Sequence, residues 1–196
     1  MEPNELNGAG EANINNELSR GEKIKKEIFS WVRVLLFAAA AALIINNVLI
    51  VNAAVPTGSM RETIASQSRL VAFRLSYVFS EPERLDVVVF RFPHDESELH
   101  VKRIIGMPGD TVDIIGGQIF INQSVEPLDE WYLAEPPSYQ NMTFHVPPDS
   151  FFVMGDNRNH SADSRGSFDN PMYFLPRENI LGRAVFTYFP SIGIIR

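Results

Sequence analysis

The chain has 196 residues, a formal net charge of −7 and no cysteine. This length accommodates one domain of ordinary size together with a tail and an anchor. The negative charge argues against nucleic acid as the main partner. The lack of cysteine excludes disulfides, a thiolate nucleophile and a cysteine-ligated zinc site. We therefore expect no metal, no cofactor and no nucleic-acid partner.

The N-terminal segment is polar. Residues 1–20 carry four glutamates, several asparagines and few large apolar side chains after Leu6. Such a segment cannot bury enough apolar surface to offset the entropy of ordering the chain. The sequence therefore predicts a mostly disordered tail over residues 1–26.

A single apolar run follows this tail. Residues 34–51 contain 18 residues and no charge. As a helix they would span roughly 27 Å, which is close to the hydrocarbon thickness of a bilayer. A buried core helix and a cleavable export signal are the alternatives, but Asn52-Ala53-Ala54 makes a poor cleavage site. We predict a membrane anchor over residues 27–52 with its core at 34–51.

Basic residues are unequally distributed around the apolar run. Two lie within twenty residues after it, and five lie near its N-terminal end: Arg20, Lys23, Lys25, Lys26 and Arg33. Cytoplasmic flanks of membrane helices carry the excess of lysine and arginine. The asymmetry predicts a single-pass plasma-membrane protein with a cytoplasmic N-terminus and residues 53–196 outside the cell.

The remainder of the chain reads as short strands. They are rich in β-branched and aromatic residues, and Gly116-Gly117 is a two-residue hairpin signal. Prolines interrupt the segment 122–149, which we interpret as an irregular part of an insertion at about 107–150. The predicted fold is mostly β, with an antiparallel sheet and strands over 69–77, 86–92, 99–105, 111–115, 118–121, 150–154 and 180–189.

Ser59 is a candidate nucleophile. It lies in Val55-Pro56-Thr57-Gly58-Ser59-Met60, where small neighbours leave its hydroxyl accessible, although the same residues are also common in ordinary turns. A serine hydroxyl needs a base to attack a carbonyl. The surrounding residues match neither the Gly-x-Ser-x-Gly elbow nor the Ser-x-x-Lys of penicillin-binding enzymes.

Lys102 is the candidate base. It is the only lysine after the membrane flank, and strand alternation puts it on the same side as Ile104 and opposite Arg103. An exposed strand-edge lysine would be ordinary, and only about one in 2,500 such lysines is neutral at pH 7. Burial can lower the pKa of a lysine by roughly 3–5 units, whereas arginine stays protonated.

Three stretches, in this order behind an apolar run, resemble type I (leader) signal peptidases. The first is the Ser59 segment, the second is residues 101–110 (Val-Lys-Arg-Ile-Ile-Gly-Met-Pro-Gly-Asp), and the third is residues 155–165 (Gly-Asp-Asn-Arg-Asn-His-Ser-Ala-Asp-Ser-Arg). The resemblance covers residues 23 to about 190. It implies a membrane-bound serine endopeptidase that removes signal peptides from exported pre-proteins after a small-x-small site.

The resemblance also implies the roles of individual residues. Ser59 would be the nucleophile and Lys102 the general base. The hydroxyl of Thr57 and the backbone N–H of Ser59 would form the oxyanion hole, and Ser161 would hydrogen-bond and orient the lysine amine.

Further positions follow from the same matches. Asp163 and Arg165 would belong to a polar network that shapes the site, and Asp156 would pair with Arg103. Shallow apolar pockets for the substrate would be formed by Val55, Met60 and Val101. The partners implied are signal-peptide-bearing pre-proteins and the lipid bilayer.

Some positions depart from the family pattern. Glu62 stands where proline is usual, Gln67-Ser68 replaces a Gly-Asp pair, and Leu85 replaces glycine. Glu62 leaves open a membrane-anchored β module that binds or scaffolds secretion partners with weak or lost activity. A soluble self-cleaving repressor protease is a further alternative, and His160 is a rival base because it neighbours Ser161.

Overall fold

The computed structural model describes residues 8–166 and 171–196, with side chains from residue 20 onward. The chain divides into two compact units, Met1–Ile45 and Asn46–Arg196. The first contains helix α1 (Gly8–Ile44), which a π-helical turn (Ile45–Leu49) follows. Over Arg20–Leu49 the chain is long and apolar enough to cross a membrane.

The ends of the helical segment differ from the sequence prediction. Residues 8–26, predicted as part of the mostly disordered tail, are helical, because extending an existing helix avoids the cost of nucleation. Residues 1–7 lie outside the described residues. At the other end, Ile50 and Val51 leave the predicted span and pair with Phe73 and Ala72, since β-branched residues fit a sheet edge. The limits of the tail, anchor and catalytic domain remain predictions.

The second unit consists of short strands. They are β1 (Ile50–Val55), β2 (Ser68–Phe73), β3 (Val87–Phe92), β4 (Asp95–Gly106), β5 (Thr111–Ile115), β6 (Gln118–Ile121), β7 (Met142–His145), β8 (Ser150–Met154), β9 (Leu175–Pro176), β10 (Ile180–Phe189) and β11 (Gly193–Ile194). Short 3₁₀ turns occupy Arg74–Tyr77, Arg158–His160 and Arg177–Asn179.

The strands form two antiparallel sheets. The larger has the order β1-β2-β10-β3-β4-β8-β9, with β11 paired to β10, and the smaller has the order β6-β5-β7. The mostly β, antiparallel prediction is confirmed. Strands β5, β6, β8 and β10 have the predicted limits. The hairpin between β5 and β6 turns on Gly116 (φ 57°) and Gly117 (φ 85°), as a type I′ turn requires.

Four strands were not predicted: β1, β7 and the two-residue strands β9 and β11. Strand β1 was assigned in part to the membrane span, and β7 lies in the segment read as irregular. Strand β7 pairs with β5 from Thr111↔His145 to Ile114↔Met142. Prolines flank β7 without entering it, so they do not remove its ladder hydrogen bonds.

Two departures from the family pattern coincide with unusual backbone. Gln67 has φ 64° and Leu85 has φ 72°, in the left-handed region that favours glycine. The backbone N–H of Gln67 donates to Val55 O at 2.8 Å and closes the loop between β1 and β2. This loop carries Ser59.

Candidate active site

Ser59 and Lys102 meet between the end of β1 and the middle of β4. The turn holding Ser59 is closed by two backbone bonds, from Arg61 N to Gly58 O at 3.1 Å and from Ile64 N to Met60 O at 2.6 Å. Lys102 lies opposite Val88 on β3. Its Nζ donates to Ser59 Oγ at 2.6 Å. Ser59 is 7% exposed and Lys102 is 4% exposed.

The environment of Lys102 favours its neutral form. Burial lowers the pKa of the amine from an ordinary 10.5 to about 8, with the Asp163 and Asp156 carboxylates opposing the shift and Arg165 adding to it. No ion pair joins Lys102 to a carboxylate in the described part of the chain. At pH 7 a pKa of about 8 leaves about one amine in ten neutral, against one in thousands for an exposed lysine.

A cavity of about 630 Å³ opens beside the two side chains. Its wall is largely apolar and includes Ala54, Val55, Pro56, Thr57, Ser59, Glu98, Leu99, His100, Val101, Lys102, His160 and Ala162. The Thr57 hydroxyl donates to Ser59 Oγ at 3.5 Å. Thr57 and Ser59 therefore lie side by side in the wall of this cavity.

Met60 differs from the other two residues predicted to bind substrate. Val55 and Val101 line the cavity, but Met60 does not. The Met60 side chain is fully buried with Val55 and Val101 in one core cluster. Its sulfur accepts a bond from Asp156 N at 3.4 Å. Met60 therefore supports the cavity wall from the core side instead of contacting the cavity.

The predicted pairing of Arg103 with Asp156 is present and fully buried. Arg103 Nε and Nη2 donate to the two carboxylate oxygens at 2.9 and 2.6 Å. Arg103 Nη1 donates to Leu85 O at 2.8 Å, and the Thr63 hydroxyl donates to Asp156 Oδ2. A bidentate guanidinium–carboxylate pair fixes both direction and distance, so β4 is tied to the loop after β8.

Asp163 and Arg165 form a second pair in that loop. Arg165 Nε and Nη2 each donate to Asp163 at 2.7 Å. Asp163 Oδ2 also accepts from Gly155 N at 3.0 Å, and Arg165 Nη2 donates to Arg158 O at 2.8 Å. The pair therefore closes the loop that carries Ser161.

Ser161 reaches the site without the predicted hydrogen bond. Its Oγ is buried, and no partner for it occurs in residues 8–166 and 171–196. It packs against Gly155, where any side chain would run into Ser161 Oγ and the carbonyl oxygen of Ser59. A glycine is thus required for the close approach of this loop to the nucleophile.

The rival base does not contact the nucleophile. His160 is exposed and lines the cavity wall. No hydrogen bond joins it to Ser59 among the residues that the structure describes. Its backbone N–H donates to Asn157 O at 3.0 Å.

Several residues at the site had no assigned role in the sequence analysis. Asn157 N donates to Ser59 O at 2.9 Å, and Asn157 Nδ2 donates to Gly58 O at 2.9 Å. Glu130 and Tyr132, from the insertion, contact Arg158. Asn157 and Arg158 lie in the Gly-Asp-Asn-Arg stretch, and this motif could have indicated that they belong to the site. Glu130 and Tyr132 had no signal beyond their position in an aromatic, proline-rich segment.

Comparison with known proteins identifies the class. Residues 28–189 match the family described as signal peptidase, peptidase S26. The chain belongs to this family.

Individual relatives agree with the family. The chain is 41% identical over 144 residues to signal peptidase I of Leptolyngbya laminosa, covering 69% of this chain and 67% of that protein. It is 35% identical over 167 residues to the probable signal peptidase I-1 of Synechocystis sp., covering 82% of each. A crystal structure of a signal peptidase I from Enterococcus faecalis is 30% identical with a TM-score of 0.46, covering 53% of this chain and 97% of that one.

The family fixes the reaction class. The protein is a membrane-anchored serine peptidase, a hydrolase that removes signal peptides, and its substrates are pre-proteins that carry them. This finding favours the peptidase over the scaffold module and over the soluble repressor protease.

Proposed function

We propose that the protein cuts exported pre-proteins after a small-x-small site with Ser59 as nucleophile and Lys102 as general base. The observation that carries this proposal is the 2.6 Å hydrogen bond between Lys102 Nζ and Ser59 Oγ. It joins a buried hydroxyl to a buried amine whose pKa burial lowers to about 8. A base with a pKa near the working pH combines availability with a useful driving force for proton transfer.

The acylation step follows from this arrangement. The neutral Lys102 amine takes the hydroxyl proton as Ser59 Oγ forms a bond to the scissile carbonyl carbon. The charge that develops on the carbonyl oxygen is stabilised by donors held in place beforehand, which we assign to the Ser59 N–H and the Thr57 hydroxyl. When the carbon–nitrogen bond breaks, Lys102 returns the proton to the leaving amine.

Deacylation repeats the same proton transfers. A water molecule takes the place of the leaving amine, and Lys102 removes its proton as the water oxygen attacks the ester carbon. Lys102 then returns this proton to Ser59 Oγ when the ester bond breaks, which releases the new carboxyl group. The unpartnered Oγ of Ser161 supports a role in accepting a hydrogen bond from the amine and directing it. The Arg103–Asp156 and Asp163–Arg165 pairs hold the two sides of the site without contacting the substrate.

The cavity accounts for the substrate. Strand β1 lies at one end of its sheet, and β4 pairs with β8 only from Arg103 onward. Both strands therefore offer backbone groups to an extended peptide, which can add to a sheet edge. The apolar wall formed by Val55 and Val101 near Ser59 suits small side chains on the residues before the scissile bond.

We also propose the orientation of the enzyme in the cell membrane. Ser59 follows Leu49, the end of the segment able to span a bilayer, by ten residues. The five basic residues before the uncharged run at 34–51 favour a cytoplasmic N-terminus, with residues 53–196 outside. A signal peptide keeps its apolar core in the same bilayer, so one membrane plane concentrates enzyme and substrate. The net charge of −7 supports the absence of a nucleic-acid partner.

A cleavage assay tests the proposed chemistry. The detergent-solubilised full chain should release the mature form of a pre-protein carrying an Ala-x-Ala site, with the cut after the second alanine as read by mass spectrometry. Ser59→Ala and Lys102→Ala should each abolish release. Cleavage elsewhere would contradict the site assignment, and an active Ser59→Ala variant would remove the nucleophile.

Sidedness needs its own experiment. A protease added outside intact protoplasts should digest residues 53–196 and leave the N-terminal tail intact. A protected catalytic unit would reverse the orientation.

A further inference from the structure

The insertion between β6 and β7 contacts the loop after β8 at several points, and Tyr132 is one of the residues that make this contact. Tyr132 is 7% exposed, although the adjacent Trp131 is 63% exposed. The proline-rich segment that carries both has no strand of its own between residues 122 and 141. A buried tyrosine in such a segment marks one of the points where the segment is fixed to the rest of the protein.

The ring of Tyr132 covers one face of Arg103. The guanidinium carbon of Arg103 lies 3.9 Å from the ring centroid. At this distance a cation is attracted by the negative face of an aromatic ring, and the attraction is stronger where water is excluded. Arg103 is the residue after Lys102, and it holds Asp156 through two hydrogen bonds. The ring therefore helps to fix the strand position that carries the proposed base.

The hydroxyl of Tyr132 reaches a second arginine. It donates to Glu130 Oε1 at 2.9 Å and accepts from Arg158 Nη2 at 3.0 Å. Burial raises the pKa of this hydroxyl, so it keeps its proton and its donor role. Arg158 also forms a buried ion pair with Glu130.

Arg158 leads directly to the nucleophile. Its Nε donates to Gly155 O at 3.0 Å, across the short segment 155–158. Within this segment Asn157 N holds the carbonyl oxygen of Ser59 at 2.9 Å, and Asp156 holds Arg103. Tyr132 therefore contacts both Arg103, which is next to Lys102, and Arg158, which holds the segment that is hydrogen-bonded to Ser59.

We propose that Tyr132, anchored by Glu130, is a positioning residue that maintains the hydrogen-bond distance between Ser59 and Lys102. The inference rests on the proposed dyad and adds a role for the insertion in the reaction. Tyr132 touches neither the substrate cavity nor the reacting atoms, and it acts through Arg103 and through the segment 155–158.

Loss of the ring has a defined consequence. Water would reach the face of Arg103 that the Tyr132 ring covers in the wild type, and the Arg103–Asp156 pair would loosen. Lys102 would then be less desolvated, so its pKa would rise from about 8 towards that of a free lysine. Ser59 Oγ and Lys102 Nζ would also spend less time at bonding distance.

The test compares Tyr132→Leu with the matched Tyr188→Leu, which removes a more exposed tyrosine from β10. For Tyr132→Leu we expect kcat to fall about tenfold or more, with KM changed little. The acidic limb of its rate profile should move to higher pH. Tyr132→Phe keeps the ring and should largely restore the wild-type limb, and Tyr188→Leu should behave as wild type. All rates are measured well below the unfolding midpoint of every variant.

A spectroscopic titration of the Lys102 amine tests the inference without measuring turnover. The chain has only four lysines, Lys23, Lys25, Lys26 and Lys102, so ¹³C-labelled lysine should resolve the buried amine of Lys102. Its pKa should rise in Tyr132→Leu and, by less, in Glu130→Gln, which keeps the shape of the side chain. The Glu130→Gln variant serves if Tyr132→Leu does not fold.

Two outcomes separate this inference from the proposed function. If Tyr132→Leu and Glu130→Gln match Tyr188→Leu in kcat, rate profile and Lys102 pKa, Tyr132 is structural only, while the dyad stands. If wild-type turnover does not depend on Lys102, the dyad itself fails, whatever the Tyr132 variants do. A lowered unfolding midpoint with an unchanged Lys102 pKa would also overturn the positioning role.

Discussion

Lys102 and Arg103 are neighbours on β4 and are almost equally buried, at 4% and 1% exposure, yet their surroundings are opposite. Arg103 meets Asp156, Thr63, a backbone carbonyl and the Tyr132 ring. Lys102 meets the hydroxyl of Ser59 in a largely apolar cavity. A buried cation with a carboxylate partner becomes part of the framework, whereas one without a partner loses its proton more readily and can serve as a base.

The largest effect on activity should come from replacing Lys102 with arginine, the residue that stands at position 103. Lys102→Arg places a group that cannot release its proton near neutral pH beside Ser59, so turnover should fall by about 10⁴-fold or more. His160→Ala is the control and should keep much of its activity. If these outcomes were exchanged, the serine–lysine assignment would have to be abandoned.

The wild-type rate profile belongs to the same test. A base acts in its neutral form, so kcat/KM should rise with pH through the pKa of Lys102, near 8. An acidic limb at the value of an ordinary histidine, about 6.5, would point to His160 instead.

The second effect concerns the arginine. Asp156→Asn keeps the shape but leaves the Arg103 guanidinium buried without a counter-charge, which should cost about 3–5 kcal/mol of unfolding free energy. Thermal or denaturant unfolding of the solubilised protein measures it. Asp129→Asn, at an exposed position, should change stability by less than about 0.5 kcal/mol. Equal effects in the two variants would show that the pair does not hold the framework.

The third effect concerns the unfolding free energy that is lost because Lys102 is buried without a carboxylate partner in the described residues. Because the pKa of Lys102 is about 8 in the folded protein and 10.5 ordinarily, the folded state binds this proton less tightly. The cost is complete below pH 8, shrinks as the pH rises towards 10.5 and then vanishes. Lys102→Met should therefore abolish activity and raise the unfolding free energy at pH 7 by roughly 3 kcal/mol. If the gain in unfolding free energy did not decrease between pH 8 and 10.5, the lowered pKa of Lys102 would not be its cause.

The smallest effect should come from the backbone of the nucleophile loop. Gln67→Gly relieves a left-handed conformation (φ 64°) and should raise the unfolding free energy by about 0.5–1 kcal/mol after the entropy cost of glycine. Leu85→Gly relieves the same strain but removes a side chain packed against the core, so no net gain is expected. The unfolding midpoints of both variants measure these changes. A stabilised Leu85→Gly would mean that packing of the Leu85 side chain contributes little to stability.

Local signals in the sequence were sufficient for most strands. The Gly116-Gly117 turn and the β-branched runs gave β5, β6, β8 and β10 their limits because turn chemistry and period-2 burial are local properties. Strand β1 was missed because an apolar run reads alike as helix and as strand. Strand β7 was missed because its partner, β5, lies about thirty residues earlier, and pairing at that distance leaves no local pattern.

By itself the sequence determined the chemistry available at the site. It supplied a serine among small residues, one lysine beyond the membrane flank and no cysteine, and residue type limits which groups can act as nucleophile or base. Tertiary structure decided which of these groups meet. It brought Ser59 to Lys102 across 43 positions, put Met60 in the core and connected Tyr132 to both arginines. Burial and distance, which set the pKa of Lys102, arise only when separate segments of the chain pack against one another.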